Sequence, residues 1–107
     1  MAQARDKQVA LAAVRRFLAV LGEHNIPVER AYLFGSYTAG RAHEWSDIDV
    51  AVVTPRFEGD GFDFKLSLMK IARDIDLCLE PHPFLSAEFS EDYPPAAEII
   101  RTGERVM

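Results

Sequence analysis

The sequence predicts an α/β domain, a small sheet flanked by helices, and three observations carry that reading. Apolar residues recur at helical spacing from Asp6 to Leu21 and again from about Asp63 to Arg73. Two short apolar runs, Ala31-Tyr32-Leu33-Phe34 and Val50-Ala51-Val52-Val53, read as strands. Helical and strand patterns interleave along the chain, as they do where helices pack onto a sheet.

In the first helix Leu11, Val14, Leu18 and Leu21 fall on one stripe, while Arg5, Gln8, Arg15 and Arg16 lie elsewhere. Gly22 is placed to end this helix, and Asn25 to Pro27 lead into the first strand. The stretch after Ser36 is expected to hold a short helix whose first N–H groups face the end of that strand. The second strand runs from about Ile48 to Val53 and stops near Pro55, and Glu58-Gly59-Asp60-Gly61 reads as a flexible loop. The second helix, about Asp63 to Arg73, puts Phe64, Leu68 and Ile71 on one side. A third strand is expected at Ile75 to Leu79, with Asp76 and Cys78 on one face and Ile75, Leu77 and Leu79 on the other. Pro81, Pro83, Pro94 and Pro95 then break the chain into loop and turn before a short helix at about Ala96 to Arg101. Gly103 and a last strand at Arg105 to Met107 close the order. No repeat, low-complexity tract or linker interrupts it, so residues 1–107 read as a single domain.

A chain of 107 residues supports one modest core and leaves too little for a second substrate-binding lobe. A formal net charge of -5 argues against direct binding of nucleic acid, which calls for a basic face, and suits metal ions or a basic protein partner. Cys78 is the only cysteine, so no internal disulfide forms and a reducing compartment is expected. Charges interrupt the first residues, MAQARDKQVALAAV, so neither a signal peptide nor a membrane span is expected and the chain reads as cytoplasmic.

The chemistry concentrates in Gly35-Ser36, ten further residues, and Asp47-Ile48-Asp49. Gly35 lacks a β-carbon and lets the backbone turn sharply beside a phosphate, while Ser36 offers a hydroxyl and a helix N-terminal N–H. Gly40 serves the same loop or ends its helix. Arg41 is a candidate to neutralise phosphate. Asp47 and Asp49 are two apart in extended chain and project to one side, leaving Ile48, Val50 and Val52 for the core. Two adjacent carboxylates repel unless a cation lies between them, and oxygen ligands at this spacing favour magnesium. An acidic residue inside so apolar a strand is disfavoured unless it serves a function. Asp76, in the expected third strand, is a third candidate. His24, His43 and His82 are too scattered to form a metal site. Cys78 suits a small buried position, and Trp45 and Tyr37 suit either a base stack or the edge of the core.

The segment GSYTAGRAHEWSDID resembles the Gly-Ser-x10-Asp-x-Asp signature of the nucleotidyltransferase superfamily that includes DNA polymerase beta. The short chain is most similar to the minimal nucleotidyltransferases, or MNT proteins. The resemblance is densest from Tyr32 to Val53 and continues more loosely through Ile75 to Phe84. It implies the polymerase beta-like fold, with a small mixed sheet flanked by helices. It further implies two magnesium ions, ATP as donor, and transfer of AMP to a hydroxyl with release of pyrophosphate. A further carboxylate from a neighbouring strand joins the pair in this family, and Asp76 matches that position as metal ligand and general base. Many relatives carry Arg or Lys immediately before the second glycine, where this chain has Ala39. The resemblance finally implies a partner: a HEPN-domain toxin, adenylylated on a tyrosine by an MNT antitoxin. Two other functions compete, a module that binds nucleotide and silences its partner by covering it, and transfer to a small molecule.

Overall fold

The computed structural model describes residues 7–42 and 46–107. Helix α1, Lys7–Glu23, buries Ala10, Leu11, Val14, Phe17 and Leu21 along one side, the stripe that a 3.6-residue period demands. Gly22 lies within this helix, and the reversal comes at Asn25, whose φ of 59° is left-handed. Asn adopts that conformation more readily than most residues. Strand β1 is Arg30–Phe34 and strand β2 is Ile48–Thr54. Helix α2 is Gly61–Arg73, two residues longer at its start than expected, because Asp60 caps it by accepting a 2.8 Å hydrogen bond from the Asp63 N–H. Strand β3 is Leu79–Leu85, helix α3 is Pro94–Thr102 and strand β4 is Glu104–Arg105. Pro94 and Pro95 therefore open a helix instead of breaking the chain, since the first turn needs no N–H donors.

The strands form one mixed sheet in the order β3-β2-β1-β4. β1 runs antiparallel to β2 and to β4, whereas β2 and β3 are parallel. The expected third strand needs correcting. Residues 74–78, Asp76 and Cys78 among them, lie outside any strand, and the strand begins only at Leu79. Asp76 N–H and Ile75 N–H bond back to the Ala72 carbonyl, so the end of α2 holds these residues out of the sheet. The strand instead runs through Pro81 and Pro83. It can do so because β3 lies at the edge of the sheet. The Cys78 carbonyl accepts from Ile48 N–H and Ser86 N–H donates to the Thr54 carbonyl, so even-numbered backbone groups face β2. Both prolines, at odd positions, turn their missing donors to the open side.

The two faces of the sheet are packed separately. Leu33, Ile48, Val50, Val52 and Leu79 meet the apolar sides of α1 and α2 in the larger cluster. Tyr32, Ala51 and Val53 meet Phe89, Ala96 and Ile99 under α3 in the smaller one. Gly103 closes α3 against β1, where an added β-carbon would stand 2.6 Å from the Ile99 carbonyl oxygen and 3.1 Å from that of Leu33. Its φ of -78° suits any residue, so crowding is what requires glycine. Gly103→Ala should therefore destabilise the fold by about 1–3 kcal/mol, read as a lower urea midpoint. An unchanged midpoint would mean that α3 lifts from β1 at no cost. Among the described residues no helix is long and apolar enough to cross a membrane.

Candidate active site

Sheet register brings Phe34, Asp49 and Glu80 into one row across β1, β2 and β3. The row lies on the α3 face, because Ala51 and Phe84, at even spacing from Asp49 and Glu80, pack there. α3 does not bury it completely: the Asp49 side chain keeps 22% of its exposure. Ile48, between Asp47 and Asp49, is fully buried in the opposite cluster, as alternation requires. Asp47 is exposed and sits one residue before β2.

Gly35 follows β1 and opens a single 3-10 turn, Gly35–Tyr37. Its φ is +80°, and a β-carbon there would overlap Oδ2 of Asp49 and come within 3.3 Å of the Asp49 carboxyl carbon. Glycine is thus required both by dihedral angle and by the carboxylate packed on its Cα. The Gly35 carbonyl closes the turn by accepting from Thr38 N–H at 3.1 Å, Ala39 N–H at 3.0 Å and the Thr38 hydroxyl at 3.1 Å. Gly40, at φ +72°, would present an added β-carbon to open space, with nothing within 4 Å, and Arg41 N–H reaches back to the Ser36 carbonyl at 3.0 Å. That six-to-one bond over a left-handed glycine is how a helical turn is ended, so the helix-ending role of Gly40 is the one its geometry fits.

Asp76 occupies the turn before β3, where its Oδ1 accepts a 2.8 Å hydrogen bond from Cys78 N–H. The carboxylate in register with Asp49 is Glu80, which the periodicity of the sequence misses by starting the strand four residues early. The signal that could have found it is the pair of prolines two apart, which suits an edge strand. His82, although far from the motif in sequence, is also drawn in, with its Nε2 lying 3.0 Å from Oδ1 of Asp49. Among the described residues no three His, Cys, Asp or Glu side chains converge as a metal cage. In kind the carboxylates suit a hard divalent ion: Asp49 and Glu80 stand side by side in register on β2 and β3, and Asp47 is exposed one residue before β2.

A cleft of about 420 Å³ opens beside this corner, between the Gly35 turn and α3. Phe34 and Ile99 give it apolar walls, and Thr38, Arg41 and Glu98 line its polar parts. Its volume falls in the range of about 300–1,000 Å³ usual for small-ligand sites. Gly35 and Arg41 thus share a cleft, and Phe34, also a wall of it, stands beside Asp49 in the row. Tyr37 is buried in the larger core, Cys78 packs partly buried against it, and His24 lines a separate cleft between the ends of α1 and α2. His43 and Trp45 lie outside the described residues.

The sequence profile of the nucleotidyltransferase domain matches residues 14–106, which spans both strands that carry the motif and all of the cleft. The chain belongs to the nucleotidyltransferase domain family. No curated protein sequence matches it. Among solved structures, this nucleotidyltransferase is similar to a chain of a toxin–antitoxin complex with AMP-PNP, at 26% identity and a TM-score of 0.61, over 86% of this chain and 71% of that one. A Sulfolobus solfataricus protein assigned as a nucleotidyltransferase shares the fold at 17% identity and a TM-score of 0.62, over 94% of this chain and 79% of its own. A chain of a variant of the MntA–HpeT toxin–antitoxin pair shares it at 22% identity and a TM-score of 0.60, over 87% and 70%. The small mixed sheet with its helices is the fold of these nucleotidyltransferases.

Proposed function

We propose that this nucleotidyltransferase transfers AMP from ATP to a tyrosine hydroxyl of a HEPN-domain toxin, and that it acts as the toxin's antitoxin in the cytoplasm. The observation that carries the reading is the close packing of the Asp49 carboxylate on the Gly35 turn, which supports a site where a loop suited to phosphate meets an acid suited to metal. The 26% identity to a chain of a toxin–antitoxin complex with AMP-PNP supports a toxin as partner, and the MNT resemblance supports the HEPN class and the tyrosine.

In this reading the Gly35 and Ser36 amides hold the terminal phosphates, Arg41 offsets their charge, and the nucleoside lies in the cleft toward α3. Asp47, Asp49 and Glu80 would hold magnesium, which supplies charge neutralisation on the phosphates when bound. The attacking tyrosine oxygen bonds to the α-phosphorus as the bond from that phosphorus to the leaving pyrophosphate breaks, and the hydroxyl proton passes to a carboxylate. Glu80 takes that role in preference to Asp76, because it shares the row with Asp49 while Asp76 is engaged in a turn. Glu80→Gln should then lower turnover by about a hundredfold or more, while Asp76→Asn, which keeps the acceptor for Cys78 N–H, should stay within about threefold. The reverse order would return the base to Asp76.

Incubation with ATP labelled on its α-phosphate and the purified toxin tests the whole reading. Label on a toxin tyrosine, lost in Glu80→Gln, is the expected result. Full neutralisation of the toxin with no label on it would instead identify a module that acts by covering its partner.

A further inference from the structure

We infer that His82 is a positioning residue that fixes the Asp49 carboxylate for metal binding, an inference resting on the assignment of Asp49 above. Both oxygens of Asp49 are accounted for by the fold: Oδ2 rests on the Cα of Gly35, and Oδ1 lies 3.0 Å from His82 Nε2. A carboxylate accepts only, so the imidazole donates Nε2–H and its tautomer is set by this bond. Carboxylates that ligate metals are commonly oriented by such outer hydrogen bonds.

The sequence builds this contact from four neighbours. Ala51 is the residue in register with His82, and its small side chain leaves room for the imidazole to lean along the sheet toward Asp49, two residues earlier on β2. The Phe34 ring and the imidazole meet in a T-shaped contact at a centroid distance of 5.1 Å and an interplanar angle of 61°. Pro81 and Pro83 flank His82 in the strand. The first fixes its own φ, and the second restricts His82 to extended backbone. An edge strand is held by one neighbour only, so this stiffening falls where the sheet itself gives least. The histidine keeps 32% of its side-chain exposure and the aspartate 22%, which leaves the remaining lone pairs of the carboxylate open to a cation.

Two variants separate positioning from packing. His82→Leu fills the space without a donor, whereas His82→Gln keeps an N–H donor near the Nε2 position. Titration with Mn2+, following free ion by electron paramagnetic resonance, should show binding about tenfold to a hundredfold weaker in His82→Leu and within about threefold of the unmodified protein in His82→Gln. Transfer activity should follow the same order. Equal or tighter Mn2+ binding by a folded His82→Leu overturns the inference, since the histidine would then be idle or obstructive. Equal loss in both variants overturns it too, because the imidazole would then act as ligand or as packing. No Mn2+ binding by the unmodified protein overturns the metal assignment itself and this inference with it, an outcome distinct from the other two.

Discussion

Asp49→Asn should lower AMP transfer by three orders of magnitude or more, equivalent to about 4 kcal/mol of lost transition-state stabilisation. The substitution keeps the shape of the side chain and an oxygen to accept from His82, so the corner stays assembled while its central charge disappears. Folding should be unharmed. Glu80 stands in register beside Asp49, and removing one of two neighbouring carboxylates relieves repulsion, so thermal stability without metal should hold or rise. Single-turnover rates at saturating magnesium, paired with a thermal melt, check both halves. A variant with near-normal rates would remove Asp49 from the metal site.

Gly35→Val should be nearly as damaging to activity and far more so to stability. A β-branched residue at φ +80° is strained by roughly 1–2 kcal/mol, and its β-carbon would also push Asp49 off the Cα on which it rests. Overpacking of that kind adds about 1–3 kcal/mol. For a domain of this size the melting temperature should fall by about 10 °C or more. Calorimetric titration with AMP-PNP at a temperature where the variant remains folded should show weakened binding. The damage has a source beyond phosphate access: the first group in the way of a side chain at position 35 is the protein's own carboxylate. Normal stability together with normal AMP-PNP affinity would place the nucleotide away from this turn.

Much of the fold is legible because burial imposes periods on the sequence. The stripe from Leu11 to Leu21, the alternation of Ile48, Val50 and Val52, and the side chains Phe64 and Leu68 all pack as their spacing requires. The motif also puts Gly35 and Asp49 at facing strand ends, where β1 and β2 pair. What stays hidden depends on which strand has a neighbour. Ile75-Asp76-Leu77-Cys78-Leu79 carries a strand's alternation but lies against the end of α2, which claims the Asp76 and Ile75 N–H groups for its last turn. Leu77, which the alternation would set on one face with Ile75 and Leu79, is 75% exposed. Pro81 and Pro83 suggest a break only if both sides of the strand need donors. With the strand placed too early, Glu80 and His82 fall outside it, and with them the row and the contact that complete the corner around Asp49.

The two prolines of β3 also decide how this domain can meet other chains. A sheet edge with free donors is a template onto which an extended segment can be added, and unchecked addition leads to aggregation. Here one border lacks N–H groups at positions 81 and 83, and the other is a strand of two residues, Glu104–Arg105. Neither offers a continuous ladder. What the described borders of this sheet present to another chain is therefore side chains and surface shape more than backbone, and joining two copies sheet to sheet is disfavoured at both.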